Sequence, residues 1–111
     1  KQGEIWLVKF PEDSEGHEYR KERPAIIVES NLQLGRSNVF TVLPITSNVN
    51  NCLDEDILIS PDHYNNLFSD SIIKVHHIQT FNKTRFIKRV GKVQESVLLN
   101  VQNYLKIHFG L

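Results

Sequence analysis

The sequence predicts a mainly β fold finished by one C-terminal helix, a small and strongly bent sheet or barrel rather than a parallel α/β layer. Short runs rich in β-branched and aromatic residues recur along most of the chain, with turn residues between them. No helical pattern alternates with these runs. After Gln94 the apolar period changes from two to about 3.6, which puts Val97, Leu98, Val101, Leu105 and His108 on one stripe. With 111 residues, 40% hydrophobic and 23% charged, the chain suits one domain, 1–111, around one core.

The elements follow in order. Residues 3–10 read as a first strand stopped by Pro11, and 13–22 as a charged loop. Pro24 opens a second strand over 25–29, with Arg23 at its mouth; the ring fixes its own φ and pushes Arg23 towards an extended conformation. Residues 31–38 make a turn or short helix, and 39–46 a third strand in which Pro44 marks an edge or irregular end. A polar loop over 47–53 precedes a fourth strand, 54–60. A turn-rich connection, 61–69, leads to a fifth strand over 70–80. Residues 82–85 form one helical turn and 86–93 the last strand. The helix spans 94–109, and Gly110 stops it.

Bulk properties exclude several classes. Lysine plus arginine and aspartate plus glutamate number 13 each, so only a local basic patch bears on nucleic-acid binding. The single cysteine, Cys52, allows no internal disulfide and favours a reducing cytoplasm. No apolar run approaches the roughly 18 residues of a membrane span, and no signal peptide is legible. The start at Lys1, without Met, leaves the natural N-terminus open. There is no glycine-rich phosphate loop. The acidic run Asp54, Glu55, Asp56 reads as a solvated strand edge rather than a metal site. On a strand, His76 and His77 point to opposite faces, which argues against a zinc pair. On that reading Lys74 and His76 share a polar, phosphate-facing side, and His77 faces the interior or a dimer contact.

Gly3-Glu4-Ile5-Trp6, Gly16-His17-Glu18, Arg23-Pro24-Ala25, Pro44-Ile45-Thr46-Ser47, Asp70-Ser71 and the helical ending, in this order and spacing, resemble the MazF/PemK-like toxins of bacterial toxin–antitoxin pairs. The resemblance runs almost end to end. It implies an SH3-like barrel elaborated into a compact β domain, a homodimer, and sequence-specific cleavage of single-stranded RNA without metal or cofactor. It also implies an antitoxin whose disordered tail covers the RNA site. The same fold houses CcdB-type gyrase poisons, so a non-catalytic toxin or inactive relative that binds a protein target is the alternative.

Residue by residue, Arg23 matches the family arginine at the head of the second strand, and Thr46 the hydroxyl residue after the third. His17 and Glu18 match the pair in the preceding loop, although the usual following glutamine is Tyr19 here. The fifth strand departs from the pattern. Where relatives read acidic-Gln-x-Arg-Thr, this chain has His76-His77-Ile78-Gln79-Thr80, with Lys74 two residues earlier. The resemblance therefore implies Arg23, Thr46 and His76 as catalytic, and His17, Glu18, Arg20, Ser47, Lys74 and Gln79 as RNA-binding. Which residue is base and which is acid stays open.

The residue types suit that chemistry. When an RNA 2′-OH attacks the adjacent phosphorus, the step needs a proton acceptor, a proton donor for the departing 5′ oxygen, and positive charge on the phosphate. An arginine fork matches phosphate oxygens. A small hydroxyl can hold a phosphate oxygen or the 2′-OH that distinguishes RNA from DNA; its bland alternative is capping a backbone amide. Histidine titrates near neutrality. Arg20, Lys21 and Arg23, and then Lys83, Arg85, Lys88, Arg89 and Lys92, form two basic clusters, with Tyr19, Phe81 and Phe86 nearby as stacking surfaces or core.

Overall fold

A computed structural model describes residues 1–11 and 22–111. His17, Glu18 and Arg20, with Tyr19 and Lys21, lie outside the described residues. The elements are β1 (Glu4–Lys9), β2 (Glu22–Ile27), α1 (Asn31–Leu34), β3 (Val39–Thr46), β4 (Ile57–Ile59), β5 (Ser71–Ile73), β6 (Gln79–Asn82), β7 (Phe86–Lys92) and α2 (Glu95–Phe109). Single 3₁₀ turns occupy Val49–Asn51, Val75–His77 and Lys83–Arg85. Every strand pairing is antiparallel, in the order β4-β5-β3-β2-β1-β7, and β6 also pairs with β3. The mainly β class with a C-terminal helix is as expected.

Both faces of the central strands are covered, which is why they read as nearly unbroken apolar runs. Ile5, Ile26, Leu43, Ile45 and Ile73 point to one side, where Val101 of α2 closes the core. Val8, Ala25, Ile27 and Val42 point to the other, with Phe10 and Phe81. Alternation along β2 and β3 divides their residues between these two clusters. α2 ends at Gly110, whose φ of 70° lies in the left-handed region. There the amides of Gly110 and Leu111 return to the carbonyls of Ile107 and Lys106.

Three elements differ from expectation. Strand β2 begins earlier, at Glu22, so Arg23 and Pro24 belong to the sheet and Arg23 pairs with Val8. The fourth strand shrinks to Ile57–Ile59, because Asp56 turns its side chain inward and its carboxylate accepts the Leu53 amide at 2.9 Å. The acidic run is therefore not simply a solvated edge: the Asp56 side chain is buried.

The fifth strand breaks into β5, a 3₁₀ turn and β6. Both strands pair with β3, yet the three steps from Val42 to Ile45 are matched by six from Ile73 to Gln79. The surplus is taken up opposite Pro44. Its carbonyl accepts the Lys74 amide at 3.0 Å, but proline has no N–H to return, so the ladder loses a bond there and the chain coils instead. His76 and His77 consequently lie on a 3₁₀ turn, and the two-face assignment of Lys74, His76 and His77 does not hold.

Candidate active site

The β2–β3 register pairs Ala25 with Pro44, Ile26 with Leu43 and Ile27 with Val42. Arg23 and Thr46 lie two residues beyond the last of these pairs, so alternation puts them on the face of Ala25 and Pro44. Directly opposed residues in an antiparallel pair project from the same face. The row extends through Val8 on β1 and Ile72 on β5, the partners of Arg23 and Thr46. A face that begins as core at Ile27 and Ala25 thus ends in a cation and a hydroxyl at the sheet's rim.

Arg23 and Thr46 line one recess of about 500 Å³, together with Glu22, Ser47, Asn48, Leu67, Phe68, Ser69 and Ser71. Arg23 is only 8% exposed. Partial removal from water strengthens what a guanidinium can do to an incoming anion. Thr46 Oγ1 accepts the Asn48 amide at 3.2 Å. That is the capping role of the bland reading, and it leaves the hydroxyl proton available to a ligand.

The far wall of the recess belongs to the connection between β4 and β5. The Asp62 carboxylate accepts the Tyr64 and Asn65 amides, each at 2.8 Å, and Gln94 Nε2 at 3.0 Å. Burial alone would raise the Asp62 carboxyl, but these donors outweigh it and hold it below the ordinary carboxylate value. Buried Asn65 accepts the amides of Asp62 and Leu67 and donates to the Ser60 carbonyl. Asn66 adopts a φ of 55° and bonds the Val90 carbonyl, a conformation that asparagine tolerates better than most residues. Gly91 lets β7 approach this loop: a Cβ there would meet the Tyr64 carbonyl at 2.3 Å.

Ser47 lies in the recess, as expected. Three other expected residues do not line it. Lys74 is buried and bound to Asp56 at 2.7 Å, so it does not face phosphate. Gln79 opens β6 and pairs with Val42. His76 sits beside α2, with Nε2 3.0 Å from Glu55 Oε2 and its ring 5.5 Å from that of His108. The His76 hydrogen bond holds the Glu55 carboxyl below its ordinary range.

Phe81 is buried against Phe10, with ring centroids 5.0 Å apart, so it is core rather than a stacking surface. Phe86 packs edge-on against Trp6 and Phe40. Of the second basic cluster, Arg85 donates to the Lys9 carbonyl and Arg89 to Glu4. Among the described residues no group of three or more His, Cys, Asp or Glu is placed to hold a metal, and no helix is long and apolar enough to cross a membrane. Sequence reasoning passed over Asn48, Phe68 and Ser69 and used Ser71 only as part of the Asp70-Ser71 motif. The one signal was an aromatic residue standing in a polar turn, Asn66 to Asp70.

Comparison with known proteins agrees with this fold. Over its whole length the chain is 29% identical to Endoribonuclease MazF9 of Mycobacterium tuberculosis and covers 97% of that protein. Its fold is similar to that of the Mycobacterium tuberculosis toxin MazF-mt6, with a TM-score of 0.77 at 20% identity over 97% of each chain. It is also similar to a chain of the MazE-MazF (Form-II) crystal structure from Deinococcus radiodurans, with a TM-score of 0.76 at 20% identity over 99% of this chain and 95% of that one. The model of the PemK-like, MazF-like toxins of type II toxin–antitoxin systems matches residues 1–109, and the chain belongs to that family.

Proposed function

We propose that residues 1–111 form the toxin domain of a type II pair, an endoribonuclease that cuts single-stranded RNA in the recess between Arg23 and Thr46. The observation that carries this is one polar recess lined by both a nearly buried arginine, near the start of β2, and a hydroxyl, at the end of β3. The RNA 2′-OH attacks the neighbouring phosphorus and the bond to the 5′ oxygen breaks. The 2′ proton leaves to a base, and the departing oxygen gains a proton. The products are a 2′,3′-cyclic phosphate (or the 3′-phosphate from its hydrolysis) and a 5′-OH. Arg23 donates to the non-bridging oxygens as charge gathers on them, and Thr46 positions the phosphate or the 2′-OH.

The protein works in the cytoplasm, where messenger RNA is its substrate and growth arrest its effect. It is a homodimer, since a two-fold axis joins two short rims into one longer RNA groove. The MazE-MazF structure from Deinococcus radiodurans pairs MazF with MazE. By analogy, a cognate antitoxin covers this recess with an acidic or aromatic segment that folds on binding.

The test is to incubate the pure protein with mixed single-stranded RNA, with and without chelator, and map the ends. Cyclic phosphate and 5′-OH ends at a recurrent motif, insensitive to chelator, are expected. Intact RNA at micromolar protein would overturn the proposal in favour of a toxin that binds a protein target. A toxin–antitoxin complex that cut RNA at the free toxin's rate would remove the occlusion model.

A further inference from the structure

We propose that Phe68 is a stacking platform for the base beside the scissile phosphate, favouring a purine at that position; this rests on the RNA-cleaving reading above. The ring is fully exposed, at 104% of its reference area, yet it lines the same recess as Arg23 and Thr46. Exposure at this level does not come from lack of apolar cover nearby. The preceding residue, Leu67, packs against the main core, and Asn65 is 2% exposed.

Nor is the ring carried on an unanchored segment. The backbone before it is held by the Asp62 and Asn65 side chains and tied to β7 through Asn66. The backbone after it is held where Ser71 Oγ donates to the Ser69 carbonyl at 3.0 Å. An anchored loop therefore presents an aromatic face to solvent at the mouth of a polar recess.

A single-stranded nucleotide is complementary to that arrangement. Its phosphate suits the guanidinium and hydroxyl, and its unpaired base offers a π face to the ring. A purine has more face to stack than a pyrimidine, so stacking strength alone biases which sequences are cut.

The test uses the full-length protein and a short RNA with 2′-deoxy sugar at the cleaved nucleotide, which removes the attacking hydroxyl. 2-Aminopurine replaces the base on one side of the cut or the other. Binding to the wild type is expected to quench the fluorophore at one of the two positions. Phe68→Ala should abolish the quenching and raise KM for cleavable RNA about 5- to 100-fold with kcat little changed. Phe68→Trp should restore both, and Phe68→Leu, equally apolar but without a π face, should not.

Retention of quenching and KM in Phe68→Ala, with cleavage intact, would overturn this inference alone. That result with loss of self-association or of antitoxin binding would assign the ring to a protein contact instead. A wild type that neither binds nor cuts RNA would overturn the cleavage reading along with it.

Discussion

Lys74 Nζ donates to Asp56 Oδ2 at 2.7 Å, with the lysine side chain 9% exposed and the aspartate fully buried. The pair joins the start of β4 to the end of β5, and the same aspartate oxygen also accepts the Leu53 amide. Two charges taken from water together are tolerable, but one left behind is not.

Asp56→Asn or Lys74→Leu alone should each therefore cost about 3–5 kcal/mol of stability. The double variant Asp56→Asn with Lys74→Leu keeps an acceptor for the Leu53 amide and removes both charges. It should lie within about 1–2 kcal/mol of the wild type. Urea unfolding of the four proteins measures the cycle. Additive losses would show that the two groups act independently.

Much of this fold is legible in the sequence. Strand β3 has the bounds its apolar run suggests, and α2 ends where Gly110 permits. Arg23 and Thr46 each stand where a regular strand meets a polar segment, a local signal, and the fold lines one recess with both. Lys74 and His76 are not legible by strand periodicity, because the missing donor of Pro44 on a neighbouring strand breaks that period within residues 70–80. That break is a tertiary effect, invisible to a local pattern. The inward turn of Asp56 was hidden likewise, since its lysine partner is 18 residues away.

Arg23→Ala should lower cleavage by at least about 10²- to 10³-fold, the loss typical of removing a preorganised donor to a developing oxyanion. Because Arg23 is nearly buried, thermal unfolding must accompany the assay. Arg23→Lys fills most of the space but offers a point charge in place of a fork, and should remain below about a tenth of wild-type activity. Thr46→Ala should lose less, and Thr46→Ser, which keeps the hydroxyl, should recover most of that loss. Wild-type rates in a folded Arg23→Ala protein would remove the role assigned to it.

Self-association should depend on α2. Its core-facing stripe is satisfied within the chain, yet Leu99, Ile107 and Phe109 are 54%, 71% and 55% exposed. Leu99 and Ile107 share a face at two successive i,i+4 steps through Asn103. Along β3, by contrast, Val42, Leu43 and Ile45 are buried in their own sheet, and Val39 at its start is the large apolar side chain left exposed. Ile107→Glu should shift a micromolar sample from dimer to monomer in sedimentation velocity without lowering the melting temperature of the monomer. A wild type that sediments as monomer would end the dimer proposal, and an unchanged dimer in Ile107→Glu would move the interface elsewhere.

A pH profile should separate His76 from the reacting groups. The resemblance implies a catalytic His76 because it stands at the family's acidic position, but here that position falls on a 3₁₀ turn. Its Nε2 faces the Glu55 carboxylate and its ring meets His108, away from the residues that line the recess. An ionised carboxylate can only accept, so Nε2 carries the proton in that contact. Glu55 is held below its ordinary range by this bond. A depressed carboxyl adds stability above its unfolded value of about 4.3 and loses it as pH falls through the lower folded value. On the carboxylate side, this contact therefore weakens under acid. His76→Ala should reduce cleavage less than about fivefold and leave the rising limb of the pH–rate profile in place, with that limb belonging to Glu18 or His17. A base at His76 would instead give a loss of about 10²- to 10⁴-fold and a flattened limb. Rates measured from pH 5 to 9 on His76→Ala, His17→Ala and Glu18→Gln distinguish these outcomes.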